Sequence, residues 1–129
     1  MSAPLTCDRQ NPELAVLGSM LLNQKAIGIA QATLGRDGGI FSEGENGVVY
    51  EAILTLHGEG APVDMCTLTQ ALMSIDRLEE VGGVAFVAGL EDAVPTSANV
   101  EYYAQIMLDR NSKSKAVKAA TALIKSNDV

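Results

Sequence analysis

The chain has 129 residues, the length of one ordinary domain. Apolar residues make 47% and aromatics 4%, with no Trp, so a core must come from Ala, Val, Leu, Ile and Met. That supply suits helix packing better than a β-sandwich, and a net charge of −7 argues against a surface for nucleic acid or anionic lipid. Cys7 and Cys66 are too few for a disulfide scaffold. No apolar run reaches the ~18 residues of a membrane span. The opening MSAPLTCDRQ lacks the basic-then-apolar order of a signal peptide. A soluble, cytoplasmic, all-α domain is expected.

In chain order, Asn11 can cap a first helix, Pro12 suits its first position, and Glu13 favours its positive end. Leu14, Leu17, Gly18 and Leu21 then share a face. A second helix reads from Gln24 to Leu34, with Ile27, Ala30 and Leu34 on one side and Gly35 as its C′ residue. The segment GRDGGIFSEGENG holds five glycines in thirteen residues and reads as a loop anchored by Ile40 and Phe41. A third helix is expected from Val48 to His57, on Val49, Ala52, Ile53 and Leu56. Asp64 caps a fourth, whose stripe is Met65, Leu68, Leu72 and Ile75.

After a turn at Asp76-Arg77 comes LEEVGGVAFVAGLEDAV. Its apolar run is compatible with a short buried strand. Helix is preferred, because Phe86, Leu90 and Val94 recur at i+4 and Ala and Glu favour it. Pro95 ends it. Thr96 or Ser97 caps a long last helix with Val100, Tyr103, Ala104, Met107 and Leu108 on its face. After RNSKSK the same phase resumes at Val117, Ala120, Leu123 and Ile124. The expected fold is a single all-α domain of about six helices, with Leu17, Leu21, Ile53, Leu56, Leu68, Leu72, Phe86, Leu90 and Tyr103 in the core.

The charge is uneven. Residues 1–109 hold four basic and fifteen acidic residues, a net of −11; residues 110–129 hold five basic and one acidic, a net of +4. A basic segment behind an acidic body is ordinarily a solvated helix face. It can also be a joint to an acidic surface or a lead into a further domain.

Catalytic chemistry finds little. The single His, His57, sits at a helix C-terminus, where its charge is favoured without any catalytic role. Cys66 near a helix start could be activated by the helix dipole, yet Cys is also a small core residue. A Cys66/His57 pair would need one shared pocket. The loop Gly35-Arg36-Asp37-Gly38-Gly39 lacks the Gly-Lys-Ser/Thr of a P-loop and a preceding strand. Its glycines, like Gly82-Gly83, fit close backbone packing better. Glu79, Glu80, Glu91 and Asp92 have no His or Cys beside them, and no EF-hand pattern occurs. Tyr102 and Tyr103 point about 100° apart on a helix, one to the core and one to solvent.

Three stretches in order carry a family resemblance. Gly82, Gly83, Phe86, Val87 and Leu90 are followed by Pro95, Thr96, Asn99, Tyr103, Ala104 and Ile106. Val16 to Leu22 forms the first helix, and Tyr50-Glu51-Ala52-Ile53 runs through Gly60-Ala61-Pro62-Val63-Asp64 to Thr67-Leu68. Together they resemble the N-terminal domain of the bacterial replicative DNA helicase, the DnaB type, over roughly residues 13–110. This chain departs from that pattern with Asn11 in place of a first-helix Glu, and with Arg110 to Lys115 where the family alternates apolar residues with Arg.

The resemblance implies a collar domain over 1–109 and the basic start of a hairpin or linker helix over 110–129. It implies a non-catalytic assembly and docking role in a hexameric, ATP-dependent helicase that unwinds duplex DNA at the fork. Implied partners are further copies of the chain, primase and a helicase loader. Alone, the chain is expected to be a monomer or weak dimer, without direct nucleic-acid or membrane contact. No cofactor is expected here; ATP and Mg belong to the motor. The candidate partner and assembly face is Met107, Lys113, Lys115, Val117, Lys118, Leu123 and Ile124. The other readings are a free-standing helical adaptor or regulator of the replication machinery, and a small acidic enzyme using Cys66 or His57.

Overall fold

Short-range signals start, stop and in one place break the helices, and a close approach of two glycines nine residues apart accompanies the early start of one. The computed structural model describes residues 12–42, 44–94 and 96–110, and every regular element among them is helical. These are α1 (Pro12–Leu22), α2 (Gln24–Leu34), α3 (Gly44–Gly58), α4 (Met65–Ser74), α5 (Leu78–Val81), α6 (Gly83–Leu90) and α7 over 100–110, with 3₁₀ turns at Gly38–Ile40 and Glu91–Ala93.

α1 is buried nearly all round, from Ala15 through Leu21, rather than along one stripe. A helix with apolar residues on every side belongs at the centre of a bundle. Its one buried hydroxyl, Ser19, donates to the Ala15 carbonyl at 2.8 Å. Gly18 allows the closest approach: a Cβ there would fall on the Leu90 carbonyl oxygen and lie 3.5 Å from the Ala93 Cβ. Asn23 caps α2 by accepting from the Lys25 N–H, and Gly35 closes it at φ 85°.

α3 begins at Gly44, four residues before the expected Val48. The glycines of the preceding segment serve contact instead of looseness. A Cβ on Gly38 would lie 2.5 Å from the Gly47 carbonyl oxygen, and one on Gly47 would lie 2.5 Å from that of Gly38. Phe41 is buried and Ile40 half-buried, as anchors should be.

α4 opens with a reciprocal box. Asp64 accepts from the Thr67 N–H at 2.9 Å, and the Thr67 hydroxyl accepts from the Asp64 N–H at 2.9 Å. Of its expected stripe only Leu68 and Leu72 are buried; Met65 and Ile75 are 41% and 53% exposed. The helix ends in a Schellman motif: the Asp76 N–H donates to Met73 and the Arg77 N–H to Leu72, with Asp76 left-handed at φ 60°.

The expected fifth helix is two helices. Gly82 and Gly83 take φ 120° and 77°, and a Cβ on Gly82 would lie 2.8 Å from the Phe86 Cβ. Two successive left-handed residues cannot continue a right-handed helix. The strand alternative is not what forms. Beyond the second 3₁₀ turn, Val94 is extended at φ −137° and ψ 148°, as the residue before a proline prefers. Thr96 accepts from the Ala98 N–H ahead of α7. Val100, Ala104 and Met107 are buried, Tyr103 is half-buried and Tyr102 is 67% exposed.

The core joins all seven helices. Leu17, Leu21, Ile53, Leu68, Leu72 and Leu90 are buried in it as expected, while Leu56, Phe86 and Tyr103 pack against it half-buried. Tyr50 is fully buried at its centre, its ring 4.9 Å from that of Phe41.

Candidate functional site

α3 carries more apolar positions than one face can use. Val49 and Ile53 point into the core, and Val48, Ala52 and Leu56 line the helix beside them. α4 runs against that second face without filling it. The result is a groove of about 730 Å³ between α3 and α4. Val48, Ala52, Leu56, Ala71 and Ile75 give it an apolar floor, and Glu51, Glu59 and Arg77 stand at its edges. Cys66 and Gln70 complete the α4 wall, and Cys66 is an exposed free thiol.

The α3 wall is held from behind. Glu51 accepts from the Gly38 N–H at 2.8 Å. On the opposite side the Tyr50 hydroxyl donates to the Gly35 carbonyl at 2.5 Å. Burial pushes the Tyr50 phenol up to about 12, because the phenolate loses its water. Further back, one carboxylate joins three segments: Glu13 accepts from the Ser42 N–H at 2.7 Å, its hydroxyl at 2.6 Å and the Asn46 amide at 3.0 Å. At the far edge Arg77 grips Glu80 with two hydrogen bonds, 2.7 and 3.0 Å. That hydrogen bond, and then the Glu80 charge, raise the Arg77 guanidinium above its already high ordinary value.

Such a groove can hold an apolar ridge with cationic flanks. Among the described residues no group of three His, Cys, Asp or Glu is placed to hold a metal ion. Cys66 lines the groove and His57 does not, so the two do not form a nucleophile pair around it. Of the expected assembly face, Met107 is buried against the body at 3% exposure. Lys113, Lys115, Val117, Lys118, Leu123 and Ile124 lie outside the described residues. The groove itself escaped the sequence reading. Its signal was the surplus of apolar residues on α3, where Val48 continues a second i+4 row through Ala52 and Leu56.

Among the described residues six helices around a central one define an all-α domain, and no helix among them is long and apolar enough to cross a membrane. The chain belongs to the family of the DnaB-like helicase N-terminal domain, whose model matches residues 8–109. It is 37% identical over 111 residues to the replicative DNA helicase DnaC of Bacillus subtilis (strain 168), covering 86% of this chain and 24% of that protein. The replicative DNA helicase DnaB of Geobacillus stearothermophilus matches at the same identity and coverage. The crystal structure of the N-terminal domain of DnaB helicase from Mycobacterium tuberculosis superimposes with a TM-score of 0.87 at 33% identity, covering 95% of this chain and 87% of that one. The chain thus spans about a quarter of the length of the curated relatives it matches. These 129 residues are the N-terminal domain and contain no Gly-x-x-x-x-Gly-Lys-Ser/Thr loop, so the nucleotide-driven motor is not among them.

Proposed function

We propose that this domain is a non-catalytic assembly and docking collar of a hexameric replicative helicase, where it helps close the ring and receives primase. The observation that carries the reading is the family match over residues 8–109 on a fold that overlays a helicase N-terminal domain along 95% of the chain. The surface chemistry agrees: an acidic body suits protein contacts more than a phosphate backbone. In this reading residues 1–109 are the collar body and 110–129 begin the connection onward. ATP and Mg act in the motor, a loader is a further partner, and the work is cytoplasmic.

The test is sedimentation of the 129-residue chain across a hundredfold concentration range, alone and with primase from the same organism. Self-association together with a primase-containing species is the expected result. A chain that stays monomeric and ignores primase would overturn the proposal. The free-standing adaptor reading would be favoured instead if the chain captured an intact helicase ring without entering it.

A further inference from the structure

The close contact between Gly38 and Gly47 brings a chemical liability with it. A Cβ on either glycine would lie 2.5 Å from the other's carbonyl oxygen, so packing demands a residue without one at both positions. Each of these glycines follows an Asp or Asn: Asp37-Gly38 and Asn46-Gly47 are the single Asp-Gly and the single Asn-Gly pair of the chain. A glycine after asparagine leaves its amide nitrogen open to reach the side-chain carbonyl, because no Cβ stands in the way. We infer that Asn46 is a site of spontaneous deamidation which the fold holds shut, and that its product cannot refasten α1 to α3.

The step is a ring closure. The Gly47 nitrogen attacks the Asn46 side-chain carbonyl carbon, and its proton leaves with Nδ2 as ammonia. Water then opens the cyclic imide. Cleavage of the new C–N bond gives aspartate; cleavage of the original main-chain bond gives isoaspartate, with one more methylene in the backbone. In sum, an amide and water become an acid and ammonia, with no change of oxidation state.

Burial and packing block this step in the folded chain. Asn46 is 6% exposed. Its Nδ2, the leaving group, donates to Glu13 Oε1 at 3.0 Å. Both residues of the pair lie inside α3, and ring closure turns ψ of Asn46 away from the helical value of about −42°. Gly47 has no room to swing with it, since the Gly38 carbonyl stands against it. Reaction therefore requires the first turn of α3 to open. The product is worse placed than the reactant. A carboxylate at position 46 offers Glu13 no N–H and faces it with like charge. Isoaspartate also lengthens the backbone where Gly47 meets Gly38. Each opening that ends in reaction is thus a one-way loss of the tie between α1 and α3.

The test is incubation of the full chain at mildly alkaline pH, with and without urea, followed by peptide mass. Tryptic cleavage after Arg36 and Arg77 frees residues 37–77, in which Asn46 is the one Asn. The mass gain of amide to acid is read on that peptide, and fragment ions place it at Asn46 rather than Gln70; isomerisation at Asp37 changes no mass. Deamidation should run at least about tenfold slower in the folded chain than in urea. Glu13→Gln should raise the folded rate several-fold, while Asp64→Ala, which weakens the α4 cap instead, should leave it within about twofold of the parent. Asn46→Asp should lower the melting temperature by about 5–10 °C. An Asn46 that reacts no faster in urea than in the folded chain would overturn the proposal. Equal acceleration by Glu13→Gln and Asp64→Ala would mean that only global unfolding exposes Asn46, and the role of the Glu13 tie would fall. An Asn46→Asp chain as stable as the parent would refute the one-way loss. The urea comparison and Asn46→Asp leave Glu13 untouched, so they decide the matter even where Glu13→Gln does not fold.

Discussion

Gly18 and Gly28 occupy interior positions of neighbouring helices, and their replacement by Ala should act in opposite directions. Intrinsic helix propensity favours Ala over Gly by about 0.8–1 kcal/mol at either site. At Gly28 a Cβ meets nothing within 4 Å, so the full gain should appear. At Gly18 the Cβ lands on the Leu90 carbonyl oxygen, and that obstacle is backbone at the end of α6, not a side chain that can rotate aside. Overpacking of this kind costs about 1–3 kcal/mol, which outweighs the propensity gain. Gly28→Ala should therefore stabilise by about 1 kcal/mol and Gly18→Ala destabilise by about 1–2 kcal/mol. In a domain of this size the two melting temperatures should differ by about 10 °C. Thermal and urea melts followed by circular dichroism would measure it. A Gly18→Ala chain as stable as Gly28→Ala would show that α1 and α6 do not meet at that distance, and the central placement of α1 would have to be redrawn.

Further outcomes follow from single contacts. Because burial raises the Tyr50 phenol to about 12 in the folded chain, its share of stability is whole below about pH 10. That share, about 2–3 kcal/mol, is lost as pH rises through 12. Urea melts at pH 8 and 11 should show a steeper loss in the parent than in Tyr50→Phe; equal losses would refute the assignment. The same variant should cost about 1 kcal/mol at pH 7 through the lost bond to Gly35. Asp64→Ala removes one half of the α4 capping box and should cost about 1 kcal/mol by urea melt; an unchanged midpoint would mean that the box is not formed in solution. Asp76→Gly should raise stability by about 0.5–1 kcal/mol, since the Schellman C′ position at φ 60° strains any side chain; a loss there would point to an unseen role for the Asp76 carboxylate.

Local chemistry made much of this architecture readable. The Ile27 row, the Gly35 stop and the Asp64 cap are properties of residues within one or two turns of each other, and they hold in the fold. The break at Gly82-Gly83 was hidden because Phe86 and Leu90, whose i+4 spacing argued for helix, both lie after it in α6 and carry no information about the step from α5. The early start of α3 depends on Gly47 meeting Gly38, and the Glu13 network links residues 29 and 33 positions apart. No window along the chain contains such contacts. Ile75 fits the α4 period yet lies exposed on the groove instead of in the core, and Met65, which fits it too, is exposed at the first residue of the helix. The family resemblance, in turn, was carried by spacing around Gly82, Pro95 and Tyr103, residues that govern turns and packing. Their pattern travels with the fold, and so it identified the domain without revealing its groove.

The fastening of residues 35–42 alters what the covalent chain has to do there. Tyr50 holds the carbonyl of Gly35 on one side of Arg36, and Glu13 holds Ser42 on the other. Both grips come from helices that are themselves seated in the core. The peptide bond after Arg36 is consequently not the tether that keeps α2 beside α3. A chain opened at that point has two ends already moored to the body, which makes it a natural position for relocated termini or an inserted reporter.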